Sequence, residues 1–274
     1  MAYGEKSDSH SQLIDTETPS VPRMYDWLLG GTDNYQTDRD ACAALLEIAP
    51  STQRLARNNR TFLQRVVRAL AREGITQFLD HGSGLPTQDN VHEVAQRVHG
   101  DSKVIYVDND PMVLAHARTR LHTNDKVKVV AADFRDTHEI RHEVGEFFDW
   151  GKPIAALFVS VLHCIPDEPA DRGPSAVIRK VAAQLPVGSF MVICQLVSDS
   201  AEVRDGVTRL MEEVTGGKWG RVRTREEVQA FFDGMEIVEP HLVDVTDWRP
   251  DAPTPPQELR PDDWIEWGGV ARIV

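Results

Sequence analysis

Short apolar segments alternate with segments of helical periodicity from Gly74 onwards, and this alternation limits the fold more than any other feature of the chain. The predicted strands are residues 77–80, 103–108, 127–131, 154–160 and 189–195. They are apolar along most of their length, and helical segments lie between them. Such strands form parallel sheets whose two faces are both covered by helices. The sequence therefore predicts an α/β fold with a doubly wound, mostly parallel sheet.

The N-terminal part of the chain lacks this alternation. Residues 1–20 are rich in Ser, Thr, Asp and Glu, a composition that is typical of a disordered leader. Residues 21–73 contain three predicted helices that end at glycine or proline. We therefore predict an N-terminal helical lid over residues 21–73 and an α/β domain over residues 74–274.

The lid is expected to close over a ligand site and to contribute side chains to it. The candidates are Tyr25, Asn34 and Tyr35, around a double-glycine turn, and Arg57, in a polar stretch of the third helix. In the alternative interpretation, the helices of the lid only cover an edge of the sheet.

The composition excludes several kinds of partner. A net charge of −13 argues against nucleic-acid binding, because phosphate contacts need clustered Lys and Arg. No apolar run approaches the roughly 18 residues that indicate a membrane span, and the N-terminus lacks the apolar core of a signal peptide. Cys42, Cys164 and Cys194 are widely spaced and odd in number, which predicts neither a disulfide framework nor a metal site. We expect a cytoplasmic protein.

The turn after the first predicted strand, residues 80–86, is the predicted ligand-binding loop. Ligands of open α/β sheets bind beyond the carboxyl ends of the strands, where the winding direction switches. Gly82 and Gly84 allow a tight turn and a close approach of ligand to backbone. A dinucleotide site would have a third glycine where the chain has Thr87, and the carboxylate of Asp80 would repel a pyrophosphate. S-adenosylmethionine has positive ammonium and sulfonium groups and no phosphate, so Asp80 favours this cofactor.

Acidic residues also end the next two predicted strands. Asp108 lies 24 residues beyond Gly84, where an acid can accept hydrogen bonds from both ribose hydroxyls. Asp133 and Phe134 follow the third strand and can contact an adenine amino group and ring. An isolated aspartate at such a position is more often a turn or helix cap. Three of them along one edge of the sheet favour a ligand site.

With these motifs, the chain resembles the class I S-adenosylmethionine-dependent methyltransferases, and within them a family long filed as a domain of unknown function. The most specific motifs are residues 23–35, 80–87, 107–111 and 268–272. The resemblance implies a Rossmann-like sheet of seven strands, the last antiparallel, with a helical N-terminal piece near the cofactor. Pro86 stands where the wider class has a third glycine, so the path of the loop departs from the class at this point.

The resemblance also implies where the cofactor lies: the methionine end near Asp80, Gly82 and Gly84, the ribose at Asp108, and the adenine at Asp133 and Phe134. The full predicted cofactor-binding set is Asp80, His81, Gly82, Ser83, Gly84, Asp108, Asn109, Asp133, Phe134 and Ser160. His81 lies inside the loop and is expected to orient it rather than to react.

The segment after the fourth predicted strand, residues 160–166, is expected to face the methyl acceptor. Methyl transfer is an in-line displacement, so the enzyme mainly aligns the nucleophile and excludes water. A general base is needed only when the acceptor carries a proton at the working pH. His163 is the group in this segment whose usual pKa lies near neutrality, and it is the candidate catalytic base. The alternative interpretation is a structural histidine bonded to the backbone.

We therefore predict an S-adenosylmethionine-dependent methyltransferase that acts on a small-molecule acceptor, whose identity the sequence does not reveal. Nucleic acid is disfavoured as acceptor by the acidic balance and by the lack of an Asn-Pro-Pro-Tyr-type motif after the fourth strand. Two alternatives stay open: a non-catalytic regulatory protein that binds S-adenosylmethionine and, less favoured, an NAD-dependent oxidoreductase. A homodimer is compatible with the sequence.

Overall fold

The computed structural model describes residues 14–121, 124–253 and 264–274, and these form helices on both faces of one mixed sheet. The strands are β1 (Gln77–His81), β2 (Lys103–Asp108), β3 (Val127–Ala131), β4 (Ala155–Val159), β5 (Phe190–Val197), β6 (Glu236–Ile237), β7 (Val243–Asp244) and β8 (Ile265–Arg272). The helices are α1 (Val21–Leu28), α2 (Gln36–Ile48), α3 (Thr52–Arg72), α4 (Val91–Val98), α5 (Pro111–Arg120), α6 (Thr137–Glu143), α7 (Pro174–Ala182), α8 (Ala201–Val214) and α9 (Arg225–Gln229).

The sheet has the strand order β3-β2-β1-β4-β5-β8-β6, and β7 also pairs with β8. Strands β1 to β5 are parallel to their neighbours, whereas β8 runs antiparallel to β5 over its full length. The doubly wound fold and the antiparallel last strand are thus confirmed, and the two-residue β7 is an addition to the expected seven strands. The winding direction changes between β1 and β4, which opens a crevice at their carboxyl ends.

Alternate residues of each central strand enter two separate cores. Phe78 and Val104 pack under α3, α4 and α5, whereas Leu79 and Ile105 pack under α6 and α7. All four side chains are almost fully buried, and burial of one such side chain contributes about 1.5–3 kcal/mol. Because both faces are buried, the strands are apolar throughout, which is the pattern that made them visible in the sequence.

The N-terminal helices divide into two groups. Helices α1 and α2 pack with α8 in a third apolar cluster, which includes Met24, Leu45 and Met211. Helix α3 instead continues into the core of the sheet, where Phe62 and Val66 are fully buried. One core therefore extends across the boundary predicted between residues 73 and 74.

Helices α4 and α8 differ from what the sequence indicates. The pattern of residues 87–98 predicts a helix from Thr87, but α4 begins at Val91, because Asn90 and Glu93 form a reciprocal capping box that fixes its start. Helix α8 was not predicted from the sequence. Gly206 lies inside it and lowers its helix propensity, but this glycine also allows Ile48 of α2 to pack closely.

Candidate active site

A cavity of about 820 Å³ lies at the carboxyl ends of β1 to β4. Its volume is in the upper part of the range of about 300–1,000 Å³ that is usual for small-molecule sites. The wall extends along the sheet edge from Asp133 after β3, past Asp108 and Asp80, to Ser160 after β4. Residues 14–26 and the segment after α8 form the opposite side.

The glycine loop after β1 forms the centre of this wall. Gly82 and Gly84 both have φ of +67°, a left-handed conformation that favours glycine. A Cβ atom on Gly82 would lie 2.3 Å from Cγ2 of Val161, whereas a Cβ on Gly84 would meet open space. Gly82 therefore fixes the packing of the loop against the segment after β4, and Gly84 leaves room for a ligand beside the backbone.

Asp108 ties the end of β2 to this loop. Its Oδ2 accepts a hydrogen bond from Gly84 N at 2.9 Å, and its Oδ1 accepts one from Asp110 N at 2.9 Å. Burial raises the pKa of Asp108, and these hydrogen bonds act against the increase. Each carboxylate oxygen can accept a second hydrogen bond. The arrangement is therefore compatible with the predicted contact to ribose hydroxyls.

Asp80 and Arg60 bring opposite charges to the same part of the cavity wall. Burial raises the pKa of Asp80 to about 7, while the charge of Arg60 opposes this increase and that of Asp108 adds to it. Among the described residues, the buried Nε of Arg60 has no hydrogen-bond partner. Its Nη2 makes only long contacts of 3.3–3.5 Å to residues 88–90.

Arg60 was missed in the sequence, where Arg57 was chosen from the same polar stretch of α3. Arg57 is exposed and does not line the cavity, whereas Arg60, almost one helical turn later, does. The phase of α3 could have separated them: at 3.6 residues per turn, Arg60 lies about 80° from the mean direction of the buried Asn59 and Leu63, and Arg57 about 140°.

Asp133 and Phe134 lie at the far end of the wall, but their environments differ. The carboxylate of Asp133 accepts hydrogen bonds from Arg135 at 2.5–3.0 Å, and Arg172 lies 3.7 Å away. Burial alone would raise the pKa of Asp133, but these arginines lower it. A contact to adenine would compete with this ion pair. Phe134 is half-buried beside Phe158, with ring centroids 6.2 Å apart, and is available to pack on a ring.

Ser160, after β4, contacts a carboxyl group that the sequence did not reveal. Its Oγ donates to Oε1 of Glu266 on β8. Burial raises the pKa of Glu266 to about 8. The sequence pattern predicts a last strand over residues 268–274, whereas β8 begins at Ile265 and includes Glu266. A glutamate in a buried strand is rare, so a strand predicted at its full length would have indicated Glu266 as a site residue.

Tyr25, from α1, lines the cavity beside Asn59 of α3. The Tyr25 hydroxyl donates to Ala56 O at 3.0 Å and accepts from Asn59 Nδ2 at 2.9 Å. The Cys194 thiol donates to Asn59 Oδ1 at 3.3 Å. Burial raises the pKa of Tyr25. The structure thus holds Tyr25 as a neutral hydrogen-bonding group.

The two histidines of the predicted site do not line the cavity. His81 stacks on Phe158, with centroids 4.1 Å apart, and its Nδ1 lies 3.2 Å from Leu157 O. Burial lowers the pKa of His81 to about 4. His163 packs on Trp219, and burial together with the charge of Arg223 lowers its pKa to about 3. A base must reach the proton that it removes, so this placement does not support His163 as the base. Nor does its Nδ1 have a backbone partner among the described residues.

Asn34 and Tyr35 also lie away from the cavity and support its wall from behind. Asn34 Nδ2 donates to Asp26 Oδ2 at 2.8 Å, and Asp26 is at the wall. Tyr35 packs against Leu85 and Met112, next to the glycine loop. The other predicted positions, Ser83 and Asn109, are at the wall, as are the glycines and acids described above.

Residues 14–20 form part of the wall although they belong to the predicted leader. The buried guanidinium of Arg23 donates to Asp15 O at 2.7 Å, to Thr18 O at 2.5 Å and to Asp38 Oδ2 at 2.8 Å. We call residues 14–20 the N-terminal strap. Residues 1–13 of the predicted leader lie outside the described residues.

The wall suits a positively charged ligand with further polar groups. Its acidic side chains are Asp15, Asp26, Asp80, Asp108, Asp110 and Asp133, and its basic side chains are Arg23, Arg60, Arg135 and Lys218. Arg23 is bound to Asp38 and to the strap, Arg135 is paired with Asp133, and Lys218 is exposed. The buried Oγ of Ser83 and Nε of Arg60 have no partner within the described part of the chain, so both can bind a ligand. These features fit a zwitterionic, sulfonium-bearing nucleoside.

The described ranges contain no group of three or more His, Cys, Asp or Glu residues arranged to hold a metal ion. None of their helices combines the length and apolar character that a membrane span needs.

A doubly wound sheet with this strand order, a glycine loop after β1 and acids at successive strand ends define a Rossmann-like enzyme of the class I methyltransferase type. Residues 7–274 match the family model for S-adenosyl methyltransferases, and the chain belongs to that family. Its cofactor is S-adenosylmethionine. An NAD-dependent oxidoreductase and a non-catalytic regulatory protein are not favoured by this membership.

Solved structures agree with this assignment. The chain is 37% identical to a putative methyltransferase from Thermobifida fusca, with a TM-score of 0.86, over 95% of this chain and 97% of that one. It is 35% identical to a DUF574 family protein from Streptomyces avermitilis, with a TM-score of 0.85, over 95% and 100% of the two chains. The trans-methyltransferase CalH, solved with S-adenosylhomocysteine, shares the fold at 15% identity and a TM-score of 0.52, over 91% and 69%. A search of curated proteins gave no match.

Proposed function

We propose that the enzyme transfers the methyl group of S-adenosylmethionine to a small molecule, and that donor and acceptor bind in the same cavity. The observation that carries this proposal is the extent of the cavity, about 820 Å³ from Asp133 to the segment after β4, beneath the strap. A covered cavity of this size admits a cofactor and a small acceptor more readily than a folded macromolecule.

The cofactor is proposed to bind on the side of β1 to β3. Asp80 and Arg60 face the same space without a direct ion pair between them, so they can bind the ammonium and carboxylate of an α-amino acid. Asp108 would accept from the ribose hydroxyls, and Phe134 would pack on adenine. The cofactor supplies an activated methyl group, and the chain orients it and excludes water.

The acceptor is proposed to bind between β4 and the segment after α8. This part of the wall is mainly apolar, with residues Val161, Cys164, Ile165 and Pro166, and has few polar groups. Burial raises the pKa of the Cys164 thiol, which is therefore not a nucleophile near neutral pH. The polar side chains on this side are those of Ser160, the Tyr25–Asn59 pair, and Thr215 and Lys218 of the segment after α8. We infer an acceptor that is largely apolar and has one O–H or N–H group.

The lid is proposed to be the strap together with α1 rather than all of residues 21–73. Arg23 links the strap to α2 through Asp38, and Tyr25 brings α1 to the wall. Deletion of residues 1–70 would remove α3 from the core, so it would not test the lid alone. Deletion of residues 1–20 is the appropriate variant, and we expect it to weaken cofactor binding in a protein that stays folded.

A labelling experiment tests the class of acceptor. The protein is incubated with S-adenosylmethionine labelled in the methyl group and with an extract of its source cells. The extract is then separated into low-mass, protein and nucleic-acid fractions. We expect the label in the low-mass fraction, and Asp108→Ala as control should lower it strongly. Label mainly in protein or nucleic acid would contradict a small-molecule acceptor.

A further inference from the structure

The end of α1 and the turn that joins it to α2 belong to residues 23–35, one of the specific motifs of the sequence. Asp26, near the end of α1, lines the cavity and is only 9% exposed. The apolar residues Pro22 and Leu29 lie four residues before and three residues after it, so they share its face of the helix, and they also line the cavity. Asp26 is therefore a nearly buried carboxylate on the side of the cavity opposite the strand ends.

The turn holds the Asp26 carboxylate through one of its two oxygens. Oδ2 accepts hydrogen bonds from Asp33 N and from Asn34 Nδ2, both at 2.8 Å. Arg39 Nε donates to Asn34 Oδ1 at 2.8 Å. Because an arginine can only donate, this contact fixes the orientation of the Asn34 amide, which must present its N–H group to Asp26. The residues of the turn therefore position the carboxylate.

The second oxygen of Asp26, Oδ1, has no such partner. Among the described residues, Oδ1 accepts no hydrogen bond and Asp26 makes no ion pair. Oδ1 lies against the backbone of Gly31, where a Cβ atom would be only 2.0 Å away, so the lack of a side chain at Gly31 makes room for it. A buried carboxylate costs free energy unless its oxygens are hydrogen-bonded. Oδ1 is thus suited to accept a hydrogen bond from a ligand.

The same turn is anchored to the part of the sheet that carries the proposed cofactor site. Tyr35, at the end of the turn, packs against Leu85, which follows the glycine loop, and against Met112 at the start of α5. The carboxylate of Asp33 lies 3.5 Å from Nη1 of Arg120, also on α5. The turn therefore lies on the side of β1 and β2.

We propose that Asp26 is a cofactor-binding residue of the lid: its Oδ1 accepts a hydrogen bond from an O–H or N–H group of S-adenosylmethionine, on the side turned away from the strand ends. This inference rests on the proposed function, because it uses the proposed placement of the cofactor on the side of β1 to β3. The cofactor carries such groups in its ammonium, its ribose hydroxyls and its adenine amino group. Bound between Asp26 and the aspartates of the strand ends, it links the lid to the sheet. Gly31 and Asn34 are positioning residues.

Asp26→Asn separates a ligand contact from a structural role. The remaining side-chain oxygen can still accept both hydrogen bonds of the turn, whereas an NH₂ group replaces Oδ1 and cannot accept one. The affinity for S-adenosylhomocysteine, measured by calorimetry, should fall about tenfold, because a hydrogen bond to a charged group is lost. The midpoint of chemical denaturation should stay unchanged. Asp33→Asn makes the same chemical change at a position of the turn that does not line the cavity, and it should leave the affinity unchanged.

A truncated ligand shows which part of the cofactor Asp26 contacts. 5′-Methylthioadenosine has the nucleoside but lacks the α-amino acid group. A similar loss of affinity for both ligands in Asp26→Asn would place the contact at the nucleoside. A loss for S-adenosylhomocysteine alone would place it at the ammonium group. Either result supports the inference.

A second variant displaces the carboxylate instead of changing it. Gly31→Ala, whose Cβ atom would collide with Oδ1, should also weaken the binding of S-adenosylhomocysteine, and it serves if Asp26→Asn does not fold. Wild-type affinity in Asp26→Asn, or in Gly31→Ala where that variant replaces it, would overturn the inference and leave the proposed function intact. Equal losses in Asp26→Asn and Asp33→Asn would assign the effect to the turn and overturn it too. If the wild-type protein does not bind S-adenosylhomocysteine, the proposed function fails and the inference with it.

Discussion

The two sides of the cavity are built in different ways. On the side of β1 to β3, the polar groups apart from Arg60 of α3 are mainly aspartates at the ends of successive strands, each close in sequence to the strand that positions it. On the side of β4, the polar groups come from distant parts of the chain: Ser160 contacts Glu266, 106 positions later, and Tyr25 contacts Asn59. The aspartates of the first side follow from local topology. The second side depends on tertiary packing between distant parts of the chain.

The two sides of the cavity meet at Gly82, and a substitution there should have the largest effect on stability. Gly82→Ala would force an L side chain into a left-handed backbone, at about 1–2 kcal/mol, and against Val161, at about 1–3 kcal/mol. We expect a total loss of about 2–5 kcal/mol in the free energy of unfolding, measured by chemical denaturation. Gly84→Ala has the same φ but open space, so it should cost only the first contribution. Equal losses in both variants would show that the two sides are not packed together at this residue.

The second prediction compares two acids of the cofactor side. Asp108→Ala should weaken binding of S-adenosylmethionine by about 1–3 kcal/mol, because ribose hydroxyls and loop N–H groups lose their acceptor. Asp133→Ala should have a smaller effect, below about 1 kcal/mol, because Arg135 already occupies that carboxylate. Calorimetry measures both. A larger loss of affinity in Asp133→Ala than in Asp108→Ala would indicate that the main polar contact is to the adenine and not to the ribose.

The third prediction concerns two arginines of α3. Arg60→Met should weaken S-adenosylhomocysteine binding by about 1.5 kcal/mol, since a hydrogen-bonded charge pair with the ligand carboxylate is lost. Arg57→Met, at an exposed position of the same helix, is the matched control and should leave the affinity unchanged. Similar losses in the two variants would point to an effect on the helix instead of on the ligand.

The smallest expected effect is a dependence of affinity on pH. Asp80 has a pKa of about 7 in the free protein, so it is increasingly ionised as the pH rises from 6.5 to 7.5. The ligand's ammonium group prefers the ionised form, and the affinity for S-adenosylhomocysteine should therefore rise about threefold over this interval. Asp80→Asn should remove the rise. A rise that persists in Asp80→Asn would assign the titration to another group.

The same contrast explains how much of the molecule the sequence could predict. The strands were visible because both faces of the sheet are buried, and the wall residues Asp80, Gly82, Gly84 and Asp108 follow from strand ends and turn chemistry. Their proximity to one another needs no knowledge of distant contacts.

The acceptor side could not be predicted in the same way. His163 was chosen for its usual pKa, but the 3₁₀ turn at residues 162–164 buries it against Trp219, which no local pattern indicated. Glu266 is brought to Ser160 at the cavity by the pairing of β8 with β5, which no local pattern indicates.

The N-terminal strap also has a kinetic consequence. It forms part of the cavity wall, and few hydrogen bonds attach it: the Arg23 guanidinium donates to two of its carbonyl groups, Ser20 N donates to Asp38 Oδ1, and Thr37 Oγ1 donates to Thr16 O. If the strap closes over a bound ligand as proposed, the ligand can leave only after the strap has separated from the opposite wall. The residence time of the spent cofactor would then be determined by how often these hydrogen bonds break. Turnover would in that case follow the opening of the strap, with the methyl transfer itself faster.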